Sequence, residues 1–141
     1  MEHIKTYEEF RAEKLAYVHF SRLRDLIITE DNGLKKFDYL IDIAEGQQST
    51  GRIFGVEIKD LSSKRDIDLL IGNYTNITFP SLLVLFDNET DKGYYKWIKQ
   101  PKDNGRLELS EDSHEVKDFT QDSLIQIVDQ VKNWYGRRHA A

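Results

Sequence analysis

The sequence predicts an α/β (α+β) domain in which helices bracket a sheet, with elements in the order α-β-β-β-α-β-β-α. Three observations carry this expectation: apolar residues recur at helical spacing near both ends of the chain, β-branched and aromatic runs lie between them, and turn residues mark the junctions. At 141 residues the chain has the length of one domain, and a fold of that size buries roughly 68–70% of the surface its unfolded chain exposes. With no internal repeat and no linker, residues 1–141 read as one unit.

Each element follows from its own stretch. Thr6 and Glu9 form a capping-box start, and Phe10, Tyr17, Val18, Phe20 and Leu23 recur at helical spacing, so a helix is expected from Thr6 to about Arg24. "DLIITE" reads as a strand closed by the turn signal "DNG", and "KFDYLIDIAE" alternates, with Tyr39, Ile41 and Ile43 on one face and Asp38, Leu40 and Asp42 on the other. After the loop "GQQSTG", "RIFGVEIKDL" returns as a third strand. Ser62 or Ser63 caps a second helix running to about Asn76 on Ile67, Leu70, Ile71 and Tyr74. Beyond Pro80, the continuous run "SLLVLFD" fits a strand buried on both faces. "DNETDKG" turns into the strand "YYKWIK", and a last helix carries Leu124, Ile127, Val128, Val131, Trp134 and Tyr135 on one side.

Composition narrows the chemistry. The chain has no cysteine, so a bound metal must use carboxylates, carbonyls, histidines or water, which points to hard cations. The N-terminus "MEHIKTYEEF" is acidic and lacks an apolar h-region, and the longest apolar run, "LLVLF", is far short of a membrane span, so the expected location is cytoplasmic. The formal charge is −5. Seven acids against two bases between Asp103 and Asp122 account for all of it, leaving the body of the chain formally neutral and able to hold a phosphate backbone weakly and salt-sensitively.

Within the third strand, Glu57 and Lys59 point the same way, about 6.6 Å apart along the chain, while Phe54, Val56 and Ile58 face the opposite layer. An antiparallel hairpin centred on Gln47 and Gln48 sets Asp38 opposite Glu57 and Asp42 opposite Ile53. Two carboxylates that close repel one another in a partly dry site unless a cation or a proton lies between them. Magnesium suits such a pair, since it takes oxygen ligands and retains waters, and Lys59 would orient an attacking water or steady phosphate charge. Alone, Glu57 and Lys59 read as an ordinary solvated ion pair. Asp38 in register and the order of elements turn the reading toward chemistry.

With Asp38, the hairpin and "EIK" in place, the chain resembles the PD-(D/E)xK phosphodiesterase superfamily, whose restriction-endonuclease-like core runs α-β-β-β-α-β. Within it, the chain is similar to the bacterial domain of unknown function family 4365 over roughly Tyr7 to Lys99, through "FDYLIDI", "IFGVEIKD" and "FPSLLVLFDNETDKGYYKWI". The resemblance implies a three-layer fold with a central mixed sheet. It also implies that Asp38 and Glu57 bind Mg²⁺ (or Mn²⁺) with help from the Ile58 carbonyl, that Lys59 positions water, and that a first-helix glutamate assists. Glu13 is the best match for that glutamate, with Glu9 one turn earlier. Phe37 stands where the motif's name has proline, and Asp60 follows the lysine where a small polar residue is frequent. The implied function is metal-dependent hydrolysis of DNA in a bacterial setting, such as defence against foreign DNA. The alternative is a catalytically inactive module that binds nucleic acid or a protein partner, and a third is a subunit that works with a partner ATPase or specificity protein. The expected partners are DNA and, beside it, a second copy of the chain or a larger partner protein.

Other patterns carry less. His3, His19, His114 and His139 lack metal-ligand spacing. "DNETDKG" imitates a calcium loop, but Lys92 and Ile98 stand where glycine and glutamate are required, so it reads as a hairpin turn. Lys64 and Arg65 are placed to hold a flanking phosphate, and Arg137, Arg138 and His139 form a basic tail. Trp134 and Tyr135 read as core or dimer contacts rather than base-stacking platforms. Three Asn-x-Thr sequences read as chance matches to glycosylation acceptors.

Overall fold

A run of six buried residues, Ser81–Phe86, forms the central strand of the computed structural model, which describes residues 6–30, 37–62, 67–110 and 115–139. In chain order the elements are α1 (Tyr7–Ser21), β1 (Leu26–Glu30), β2 (Tyr39–Glu45), β3 (Gln48–Asp60), α2 (Ile67–Gly72), β4 (Ser81–Phe86), β5 (Gly93–Pro101), β6 (Leu107–Leu109), β7 (Lys117–Asp118) and α3 (Gln121–His139). The strands make one seven-stranded mixed sheet ordered β1-β2-β3-β4-β5-β6, with β7 also paired to β5. Among the described residues, only β3 and β4 run parallel. The crossover between them carries α2, as a parallel pair demands.

The two faces of the sheet bury different layers. Phe54, Val56 and Ile58 of β3 join Leu82, Val84 and Phe86 of β4 beneath Ala12, Ala16 and Phe20 of α1 and Leu124, Ile127 and Val131 of α3. On the other face, Leu83, Leu85 and Ile98 pack with Phe37, Ile71, Tyr74 and Ile77. The domain is therefore α+β, with helices on both sides of a mixed sheet. Among the described residues no helix is long and apolar enough to cross a membrane.

Several expectations are adjusted. The Thr6 cap holds, its side chain accepting from the Glu9 N–H at 3.2 Å. The face of α1 that meets the sheet, however, is Ala12, Ala16 and Phe20, while Phe10, Tyr17 and Val18 are exposed. Reading large apolar residues alone overlooked the alanines, whose small side chains let the helix backbone approach the sheet. The second helix extends only to Gly72, and residues 73–76 form a turn. Ser63, one of its two proposed caps, lies outside the described residues, as do Lys64 and Arg65. The acidic segment, read as loop, contributes the short strands β6 and β7.

The β2–β3 hairpin reaches the expected register by another route. Its turn centres on Gly46 and Gln47, both at positive φ (56° and 68°), the geometry of a tight two-residue hairpin. A bulge then sets Thr50, Gly51 and Arg52 against Ile43 and restores Asp42 opposite Ile53 and Tyr39 opposite Val56. Gly51 supplies the positive φ of 76° there. Asp42 closes the bulge by accepting from Ser49 Oγ and, at 3.1 Å, from the Thr50 N–H.

Where the bulge bends β3, the Tyr135 hydroxyl accepts from the Ile53 N–H (3.1 Å) and donates to the Ile53 carbonyl (2.6 Å), pinning α3 to the strand. Trp134 beside it is buried. Tyr135→Phe is expected to cost about 1–3 kcal/mol, because it strips both polar groups of Ile53 of that partner; urea unfolding measures it.

His19 lies against Phe86 and Phe119, with ring centroids 5.8 and 5.4 Å away, and among the described residues its buried Nδ1 has no hydrogen-bond partner. Burial first, and the nearby Arg22 second, hold its pKa below the ordinary 6.5. A depressed folded-state pKa means stability that is present above the unfolded value and lost as pH falls through the folded one. Wild type should therefore lose stability relative to His19→Phe as pH drops from 7 to 5, which thermal melts at stepped pH would show.

Candidate active site

The site is built where β2 begins. The last paired residue of β2 is Tyr39, opposite Val56, and the preceding residue extends the ladder with its backbone N–H and its side chain. Asp38 gives its N–H to the Val56 carbonyl (2.9 Å) and accepts the Ile58 N–H on Oδ2 (2.7 Å). The N–H and C=O of one residue face the same strand edge, so the Ile58 carbonyl also points to the edge that Asp38 occupies.

Glu57 and Lys59 share the α2 side of β3, as strand alternation requires, and form an ion pair at 3.3 Å from Nζ to Oε1. This is not a fully solvated pair: the Glu57 side chain is 12% exposed and that of Lys59 26%. The other Glu57 oxygen, Oε2, accepts from the Tyr74 hydroxyl at 2.8 Å. Tyr74 lies just beyond α2 and is itself buried. Its role escaped the sequence reading, which saw only an apolar helix position; no local signal marks a residue brought to Glu57 by a parallel crossover.

Burial raises the Glu57 pKa from 4.5 to about 7, and the charge on Asp38 pushes in the same direction. Lys59 and the Tyr74 hydrogen bond oppose the rise without cancelling it. The two carboxylates are thus close enough to repel, in surroundings that disfavour a second negative charge.

Among the described residues, no group of three or more His, Cys, Asp or Glu side chains is arranged to hold a metal ion. The donor set at this site is instead two carboxylates, Asp38 and Glu57, with the Ile58 carbonyl on the same edge. Hard oxygen donors of this kind suit a small divalent cation that keeps several waters.

The remaining predicted residues lie elsewhere in the fold. Glu13 is half-buried on α1, as is Glu9, and α1 belongs to the layer on the opposite face of the sheet. Asp60 alternates away from Lys59, bonds Asn88 Nδ2 (2.6 Å) and Ser62 Oγ, and lines a cleft of about 570 Å³ with Glu8, Asp87 and Glu89. It is occupied as a turn anchor. "DNETDKG" is the β4–β5 hairpin turn, with Asp91 at φ 61° and held by Arg11 of α1.

Comparison of the chain with protein-family models, with curated proteins and with solved structures returns no match.

Proposed function

We propose that this chain is a divalent-metal-dependent nuclease domain of the PD-(D/E)xK type, with a restriction-endonuclease-like core formed by α1 through β4, acting on DNA phosphodiesters in a bacterial defence setting. The observation that carries the reading is the convergence of Asp38, Glu57 and Lys59 at one end of the β2–β3 pair. Asp38 and Glu57, with the Ile58 carbonyl, would hold Mg²⁺ or Mn²⁺, and Glu13 would assist from α1. Such an ion, when bound, lowers the pKa of a coordinated water and stabilises charge on the phosphoryl oxygens. Lys59, held in place by Glu57, orients the attacking water and faces the developing negative charge. Tyr74 holds the Glu57 carboxylate through Oε2.

A test incubates the purified protein with duplex and single-stranded DNA in Mg²⁺ or Mn²⁺. Cleavage that disappears in Glu57→Ala supports the proposal, and cleavage that survives that change sinks it. A second reading, a non-catalytic module that binds nucleic acid or a protein partner, is favoured by the hydrogen bonds that Asp38 and Glu57 already make without an ion. Calorimetric titration with Mn²⁺ separates the two, because a module without chemistry has no need of a two-carboxylate ion site.

A further inference from the structure

Phe37 and Asp38 are consecutive, yet both serve the side of the sheet that displays Glu57. In an unbroken strand Phe37 would share the face of Tyr39 and Ile41. The chain bends at Asp38 instead, and the Phe37 ring packs with Tyr74, Ile77, Leu83 and Leu85 in the opposite layer.

That seat depends on Gly55. A Cβ added to Gly55 would stand 2.7 Å from three atoms of the Phe37 ring, closer than carbon atoms tolerate. Nor can the ring swing away easily: it is 6% exposed, with the Tyr74 ring 5.1 Å and the Phe79 ring 5.7 Å from its centroid. Tyr74 therefore does two things at once. Its ring braces Phe37, which precedes Asp38, and its hydroxyl holds Glu57.

We infer that Phe37, seated on Gly55 and braced by Tyr74, is the positioning residue that sets the Asp38 carboxylate beside Glu57 and the Ile58 N–H. The strand ladder cannot do this alone: its last backbone bond, from the Asp38 N–H to the Val56 carbonyl, holds Asp38 on one side only. The fit of ring to glycine fixes the backbone one residue farther out, and Asp38 follows. From the proposed function the inference borrows only the premise that the two carboxylates take a divalent ion.

The experiment compares Gly55→Ala, Phe37→Leu and the double variant by two readouts: amide hydrogen exchange in the metal-free protein, and calorimetric titration with Mn²⁺. Each single change should speed exchange of the Ile58 amide by about tenfold or more relative to the Phe54 and Val84 amides, which report the sheet itself. Each should also weaken Mn²⁺ binding by about tenfold or more, the size reported for losing a residue that orients a metal ligand. The double variant, in which the alanine methyl fills what the shorter leucine vacates, should restore both. If the Ile58 amide keeps its relative protection in both single variants, the inference is overturned. Acceleration of all amides together also overturns it, since that is only a loss of stability. Wild-type protein that binds no Mn²⁺ while Ile58 responds as stated would refute the metal reading and leave the positioning intact. Should Gly55→Ala fail to fold, Phe37→Leu and the double variant carry the same comparison.

Discussion

Replacing Glu57 by Gln is expected to stabilise the metal-free protein at pH 8 by about 3 kcal/mol, since each unit of pKa shift corresponds to 1.36 kcal/mol. Glu57 has an ordinary pKa of 4.5 and is raised to about 7 in the fold, with burial the first cause and Asp38 the second. A raised folded-state pKa gives stability that is whole below the unfolded value and lost as pH climbs through the folded one. Wild type should weaken between about pH 4.5 and pH 7 and level off above, whereas Glu57→Gln lacks that slope because its amide does not ionise. The amide oxygen still accepts from Tyr74, so the hydrogen bond is kept. Thermal or urea unfolding across pH 4–8 reads the difference. A gain that is absent at pH 8, or that is equally large at pH 4, would show that Glu57 ionises without penalty. Mn²⁺ should stabilise wild type at pH 8 more than the variant, because a cation between the carboxylates removes the repulsion that the variant never had.

Lys59→Ala should lower the rate of DNA cleavage by about 10²–10⁴-fold, the usual worth of a positioned proton-transfer or charge-stabilising group, while leaving Mn²⁺ affinity intact or improved. The split follows from geometry. The ammonium sits 3.3 Å from Glu57 Oε1, so it competes with a cation for that oxygen; its removal makes the centre more negative without deleting a ligand. On the proposed nuclease reading, Glu57→Ala should instead lose cleavage and ion binding together. Single-turnover cleavage beside calorimetry distinguishes the two patterns. A Lys59→Ala protein that cleaves at the wild-type rate would reduce Lys59 to a structural ion pair.

Both predictions turn on one feature: a carboxylate that the fold buries at a cost it could avoid with a neutral residue. Stability alone does not call for Glu57. Strongly perturbed groups of this kind gather where chemistry is done, although structural ion-pair networks produce them as well, which is why the variants matter.

Much of the site was legible before the fold. Strand alternation has period two, so Glu57 and Lys59 had to share a face, and pairing in the hairpin put Asp38 in line with Glu57. The hairpin turn was misjudged, with Gly46 and Gln47 at its centre rather than Gln47 and Gln48, yet the bulge at Thr50, Gly51 and Arg52 returned the strands to the same register. The buried stripe of α1 was misread because alanine carries little hydrophobic weight, although it suits a helix that lies close on a sheet. Glu13 remained ambiguous for the same reason: its relation to the sheet depends on which stripe of the helix faces inward.

By itself the amino-acid sequence determined what short-range rules govern: the first five strands, their in-and-out alternation, the fully buried Ser81–Phe86 and the facing of Asp38, Glu57 and Lys59. Only the tertiary structure decided that Tyr74 meets Glu57, that Phe37 rests on Gly55, and that α1 and α3 share the face opposite the charged pair. Those contacts join residues far apart along the chain, and packing, which fixes them, leaves no periodic trace in sequence.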